Sequence, residues 1–447
     1  MVQVSNSCPV WIRYIASVAI IISLTEKGLT EEPNWGQWRG PSGTGVAVDA
    51  DPPTEWSEDK NIRWKVEVPG EGHSTPVIWG DRIFLTTAIP HGEKLAPKYS
   101  GAPGAHDNRA ITQRQKYVAL AINRHNGKTL WEKILQDNLP HEGGHQTASL
   151  ASNSPVTDGK HVFAYFGSQG LFCLDMEGRV QWQVTLGVQQ TKHGHGEGSS
   201  PALYQSKLIV NWDHEGQSFL LALDKSTGRE IWRVDREEVT SWATPIVFEH
   251  AGIPQVIVAG TERVRGYDLN SGQVIWECGG MSANIVASPV AADGMVYVGS
   301  SYEKRALLAI SLDGARGDIT DSKHIVWNRF RGTPYVPSPL LYDDALYFHT
   351  HYQNILTRVL ARSGEDQPGA LRLSGIRNVY ASPVGAAGRV YITDLDGNTL
   401  VFQHGPVPRM LAYNQLDESF SASAAIVEEC LYLRGQKHLY SLATESP

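Results

Sequence analysis

The chain has 447 residues and only four cysteines, Cys8, Cys173, Cys278 and Cys430. None forms a CxxC or Cys-Cys pair, which argues against a zinc knuckle or a redox motif, and the odd count left if Cys8 departs with a signal peptide gives no support to a disulfide framework. Cys173 and Cys278 fall in or just after presumed strands, where a buried thiol is the ordinary expectation. Basic residues number 39 against 47 acidic ones, a net charge of −8, and no Lys/Arg cluster stands out. A nucleic-acid partner is therefore not expected. Nor is there an apolar run of about 20 residues, the length that spans a bilayer. The longest, Ile15 to Leu24, follows Arg13 and has the length and position of a signal-peptide core. Thr25-Glu26-Lys27 comes next, without a small-x-small cleavage site. Residues 1–30 are read as a signal peptide or an uncleaved N-terminal anchor, the one route to a membrane. The expected location is periplasmic or otherwise exported. The Gly-rich run Gly194 to Ser200 is no phosphate loop, because a strand follows where that motif requires a helix.

What the chain has in quantity is glycine (43), proline (24) and tryptophan (13), arranged in a repeat. The stretch from His193 to Trp232 is its fullest copy. A Ser-Pro pair is followed by two short strand-like runs, a Thr-Gly turn and a Trp-bearing strand. Ser/Thr-Pro recurs at Thr75-Pro76, Ser154-Pro155, Ser200-Pro201, Thr244-Pro245, Ser288-Pro289, Ser338-Pro339 and Ser382-Pro383, with a degenerate eighth copy at Ser423-Ala424. Successive copies lie 79, 46, 44, 44, 50, 44 and 41 residues apart. The 79 reflects an insertion, Ala88 to Lys116, read as a lid, a docking loop or a plain surface loop. A second signature recurs as Asn123–Trp131, Asp224–Trp232 and Asp268–Trp276, with Gly127, Gly228 and Gly272 in the same place. The acidic or amide residue and the glycine make a tight turn, and the Trp packs a flat surface against the next unit.

Four-stranded units of 40 to 50 residues, eight times over, predict an all-β, eight-bladed propeller of antiparallel blades. The last unit lacks a closing strand, whereas Asn61 to Val66 supplies one ahead of the first Thr-Pro. The last blade is expected to be closed by this N-terminal strand, which removes an open edge. The domains are thus a lead-in, 31–60, and a propeller, 61–447, with the 88–116 insertion in its first blade.

The repeats resemble those of pyrrolo-quinoline-quinone (PQQ) propellers, whose tryptophan docking motif LDxxTGxxxW is matched at Leu223 to Trp232. The segments NWGQWRGPSGTGVA and PTEWSEDKNIRWKVEVPGEGHSTPV look like the start of PQQ-like propellers of planctomycete-type bacteria. The resemblance runs from Trp35 to the C-terminus and implies a fold more than a function. Its members include quinoprotein dehydrogenases and the non-enzymatic outer-membrane assembly lipoprotein. The enzymes use adjacent cysteines, a calcium site of Glu, Asn and Asp, and a catalytic Asp. Here Glu197 and Asn284 match calcium ligands by type and Trp242 a stacking partner, but no motif matches residue by residue. PQQ with calcium is the cofactor that the resemblance implies.

In such a propeller each Ser/Thr-Pro should open an innermost strand near one mouth of the central channel. Small or compact residues precede the pairs. One to three positions further back stand His73, Ser152, Glu197, Trp242, Asn284, Tyr335, Asn378 with Tyr380, and Phe420. A ring of that composition could hold a small ligand. Loops on the same face carry His141, Glu142 and His145; His193, His195 and Glu197; Asp213, His214 and Glu215; and His349 with His351. Imidazoles and carboxylates suit a transition metal, with His193, His195 and His214 the best candidates, or a general base. The reading is a monomeric binding or scaffold module whose propeller face takes a protein partner or a small molecule. The alternative is a PQQ-dependent or metal-assisted oxidoreductase.

Overall fold

The computed structural model describes Met1 and residues 34–367 and 371–444. The expected signal segment lies outside them. Eight antiparallel sheets follow one another along the chain, each a meander whose neighbours in sequence are neighbours in the sheet. The third blade shows the plan: Ala202–Tyr204 innermost, then Lys207–Trp212, Ser218–Asp224 and Glu230–Arg236 outermost. Middle strands are buried on both faces because a blade has a neighbour on each side. Met295–Ser300, for example, is buried throughout. Outer strands alternate, as Val180–Val184 does. The core is correspondingly divided into clusters shared by adjacent blades, such as Phe163, Tyr165 and Cys173 against Leu208, Val210 and Leu221.

The tryptophans of the repeat staple one blade to the next. The indole N–H donates to a turn carbonyl of the following blade from Trp64 (Arg124, 2.9 Å), Trp131 (Met176, 2.8 Å), Trp182 (Lys225, 3.0 Å), Trp232 (Leu269, 3.0 Å) and Trp327 (Ala361, 2.7 Å). The ring covers the turn glycine. Gly228 has φ +70°, and a Cβ there would stand 2.7 Å from Trp182, so this turn requires glycine twice over. Trp276 departs from the pattern. It is fully buried and donates to Gln255 of its own blade at 2.7 Å. The outer strand that carries it, Val274–Gly279, is covered by Gly317–Asp318, from the insertion that lengthens the fifth copy.

Ring closure follows the expectation. Ile62–Glu67 pairs antiparallel with His438–Leu442, so the first strand of the propeller completes its last blade. The lead-in, set apart from the ring in the sequence reading, lies within it. Asn34–Trp35 pairs with Val77–Trp79, the innermost strand of the first blade. Val46–Ala47 runs parallel to Val384–Ala386 of the seventh. Between them, the buried Arg39 donates to the carbonyls of Thr44 and Pro339. The 34–47 segment thus crosses the axis as a plug. The insertion also differs from a simple loop. Arg82–His91 and Arg114–Asn123 form one long hairpin, which absorbs both ends of the 88–116 stretch and leaves 92–113 as the connection.

Candidate functional site

The Ser/Thr of each Ser/Thr-Pro stands two residues before the innermost strand, where its backbone N–H faces a crowded axis with no sheet partner. The next blade supplies one. Thr75 N–H donates to Ser154 Oγ, and the same bond recurs from Ser154 to Ser200, Ser200 to Thr244, Thr244 to Ser288, Ser288 to Ser338, Ser338 to Ser382 and Ser382 to Ser423, all at 2.8–3.0 Å. Seven bonds of one kind thus encircle the channel. Buried amide groups need such partners, which accounts for the hydroxyl in each repeat. The proline that follows has no N–H to satisfy.

All eight of these residues line a cavity of about 470 Å³ on the axis. Trp38 of the plug also lines it, and on its other side borders a second axial cavity of about 580 Å³. The plug therefore divides the channel.

The wall above the hydroxyl ring contains most of the expected residues. His73, Ser152, Glu197, Trp242, Asn284, Tyr335 and Tyr380 line the cavity, as do His193 and His195. Asn378 and Phe420 are not among the lining residues. Asn378 sits in a left-handed turn (φ 50°), and its carbonyl accepts from Leu395 N–H. Phe420 is fully buried against Tyr440 in the eighth-blade core. Residues without a repeat position complete the wall: Trp38, His106, Tyr302 and Tyr352. Tyr335 stacks on Tyr302 and donates its position to a contiguous aromatic side with His351, Tyr352 and Tyr380. Asn284 Nδ2 donates to Tyr335 Oη at 3.0 Å, while its buried Oδ1 has no partner.

The opposite side is built by two loops and the insertion. His106, His145, His193 and His195 pack ring on ring at 4.8–5.4 Å. The backbone holds them there: His145 N–H donates to His195 O, Asn108 Nδ2 to His193 O and Arg109 N–H to Gly144 O. The 92–113 connection consequently lies across the mouth, tied to loops of the first and second blades. Burial depresses the imidazoles of His73, His195 and His351 to about 4, and lowers His145 as well. These rings are neutral at pH 7.

His214 does not join the other two metal candidates. Its Nδ1 accepts from Gln190 and Gly216 N–H, its Nε2 donates to Gln217 O, and its ring packs edge-on against Trp212. Both nitrogens are thereby occupied within its own blade and the preceding loop. Among the described residues no three His, Cys, Asp or Glu side chains are placed to hold a metal ion. The other loop acids serve as cross-links. Glu142 accepts from Thr191, Glu215 from Thr240, and Asp213 pairs in the interior with Arg236 at 2.8 Å.

Among the described residues Glu197 is the single carboxylate lining the cavity. Its Oε2 accepts from Ser168 N–H at 2.7 Å and its Oε1 from Ser168 Oγ–H, with His141 Nε2 at 3.7 Å. Burial raises its carboxyl to about 7 against the opposing pull of the Ser168 bonds. Calcium takes about six to eight oxygen ligands, carboxylates prominent among them. Glu197, already bonded through both oxygens, and Asn284 do not make such a set. The residues present do not fit a calcium–quinone group.

A family profile described as outer membrane protein assembly factor BamB matches residues 42–213, 114–367 and 216–415. BamB of Yersinia pestis is 24% identical over 225 residues, which are 48% of this chain and 51% of that protein. The chain thus spans about half the length of that curated relative. The structure of BamB from Moraxella catarrhalis superposes with a TM-score of 0.53 at 14% identity, over 80% of this chain and 99% of that one. A europium-containing methanol dehydrogenase reaches 0.58 at 9% identity, over 91% of this chain and 90% of its own. At these identities the structures share a fold.

Proposed function

Since the chain belongs to the PQQ-repeat propeller family of the outer membrane assembly factor BamB, we propose that it is an exported, non-catalytic binding module that takes a small ligand in its axial cavity. The observation that carries this reading is a roughly 470 Å³ chamber with a closed floor and an aromatic and imidazole wall. That size lies within the ~300–1,000 Å³ range of small-molecule sites. Among the described residues the wall has no cluster of side chains placed to hold a metal ion. Its one carboxylate is engaged by Ser168, and its buried imidazoles sit well below neutral pH, where they are poor proton acceptors. The outer faces and the 92–113 connection are left for a protein partner, in keeping with the assembly role that the relatives' name states. Export is supported by the apolar run Ile15 to Leu24 and by the outer-membrane name of the relative.

A fragment screen by ligand-observed NMR, run on the wild type and on Trp242→Ala, tests the reading. Trp242 lines the cavity and donates to Gly196 O at 2.7 Å. Fragments that bind the wild type and lose at least tenfold in affinity to the variant are expected. Hits indifferent to Trp242, or dye-linked alcohol oxidation after reconstitution with PQQ and calcium, would overturn it.

A further inference from the structure

The hydroxyls of the channel ring are only half used. Each of the seven from Ser154 to Ser423 accepts one backbone N–H, and among the described residues none donates to a protein group. Thr75 Oγ1 makes no bond among the described residues, although Thr75 is buried and lines the cavity. A hydroxyl carries one proton and two lone pairs. The floor of the cavity is therefore a circle of eight O–H donors without an acceptor in the protein. Donors of this kind ask for a ligand with many oxygens.

Three further observations narrow the class. No Lys, Arg or Asp is among the residues that line the cavity and Glu197 is the one carboxylate among them, so a multiply charged anion would enter without a counter-charge and a multiply charged cation with one at most. Burial disfavours charge on the wall, lowering the imidazoles of His73, His195 and His351 and raising the carboxyl of Glu197. Acceptors are also on offer: Asn284 Oδ1 is buried, unpartnered and on the wall, at 8% exposure for its residue. Finally, the aromatic rings form a flat side rather than a box. Tyr335 and Tyr302 are stacked 5.9 Å apart, and His351 fills the space between Tyr335 and Tyr380. Enclosure of a quaternary ammonium needs ring faces on several sides, and these rings face one another.

Donors below, a free acceptor at the side, flat apolar rings above and no net charge match the chemistry of a sugar, whose edges are hydroxyls and whose faces are C–H. We propose that the cavity takes a neutral saccharide of one or two rings, with its hydroxyls on the Ser/Thr circle and Asn284 and one face against Trp242. This rests on the binding reading above and names its ligand class.

The test uses the folded full chain against an array of neutral glycans, followed by saturation-transfer NMR with maltose, cellobiose and lactose. Galacturonate, glucosamine and choline are the charged comparators. Thr75→Val is the informative variant, since it deletes one free O–H at constant shape and breaks no protein bond. At least one neutral saccharide should bind, with affinity reduced several-fold in Thr75→Val and at least tenfold in Trp242→Ala, and unchanged by 0.5 M salt. If only a charged comparator binds, and Trp242→Ala abolishes it, the saccharide assignment is wrong and the binding module stands. If no compound of either class binds in a Trp242-dependent way, both fall.

Discussion

Trp64 is the residue on which ring closure depends most. It lies in Ile62–Glu67, the N-terminal strand that completes the eighth blade, and it reaches into the first. Its indole donates to Arg124 O at 2.9 Å, covers Gly127, and packs 6.1 Å from Tyr432. Only 9% of the residue is exposed. Trp64→Ala removes the side chain from a site that cannot collapse, because Gly127 and Tyr432 belong to two different sheets. Truncation of a buried Trp costs about 3–5 kcal/mol, and the orphaned carbonyl of Arg124 falls within that figure. With a urea m-value of about 3 kcal/mol/M, the midpoint should drop by roughly 1 M or more. Arg63→Ala on the same strand is the control. Its ion pair with Glu429 is half exposed, with side-chain exposures of 31% and 51%, so it is worth under about 1 kcal/mol. Urea unfolding followed by far-UV circular dichroism measures both. If the midpoint of Trp64→Ala moves no further than that of Arg63→Ala, the strand does not close the ring in solution.

Two further outcomes follow from the same structure. Ser288→Ala leaves the buried Thr244 N–H without its 2.8 Å acceptor and should cost about 1–3 kcal/mol. Ser288→Thr keeps the oxygen and should cost less, and equal losses in the two variants would mean that the hydroxyl ring contributes nothing. The depressed imidazoles set the acid response. His73, His195, His349 and His351 sit near 4, below their ordinary 6.5, because burial penalises the charged form. The stability they contribute is complete above pH 6.5 and is lost as pH falls toward 4. Glu197, raised to about 7, acts in the opposite sense, losing stability as pH rises from about 4.5 to 7. Burial also lowers His145 and His404 and raises Glu238 and Asp394, so the imidazoles outnumber the acids and the melting temperature should fall between pH 7 and pH 5. His349 is fully buried with both ring nitrogens unpartnered, so His349→Leu should melt no lower than the wild type at pH 7 and show a smaller acid drop. An unchanged or larger drop would refute the assignment.

The fold was legible because most blades meet the same physical demands in turn. Seven axial N–H groups need an acceptor, and five turns carry a positive-φ glycine that a Trp ring covers. Those demands recur as Ser/Thr-Pro, Asp…Gly and Trp. Trp276 shows the limit of the reading: its spacing matches Trp232, yet the ring turns into its own blade, since the outer strand is covered by the 317–318 segment instead. Counting back from each Ser/Thr-Pro found most of the cavity wall and failed where the backbone leaves the common path, at Asn378 with its φ of 50° and at Phe420 in the core. His214 was misread because a His-Glu-Gly sequence looks the same whether its ring faces a ligand or caps its own turn. Trp38 and His106 carry no repeat position. What places them is the route of two irregular segments, and nothing periodic in the sequence encodes that route.

Those two segments turn a generic ring into a particular site. A propeller of repeats alone has an open axial channel, with the same hydroxyls presented to solvent at both ends. Residues 34–47 close one end from within, anchored by parallel pairing to the seventh blade and by Arg39 on Pro339 O. The 92–113 connection narrows the other by setting His106 among the imidazoles of two neighbouring loops. Neither segment contributes to the regular blade pattern, so the repeat could have formed without them. Their shared effect is to take a pore lined with free O–H donors and make it a chamber with a floor and a rim. That arrangement is unfavourable for donors left dry and favourable for donors met by a ligand. The irregular parts of this chain, more than its repeats, are the reason to look for a bound molecule on the axis.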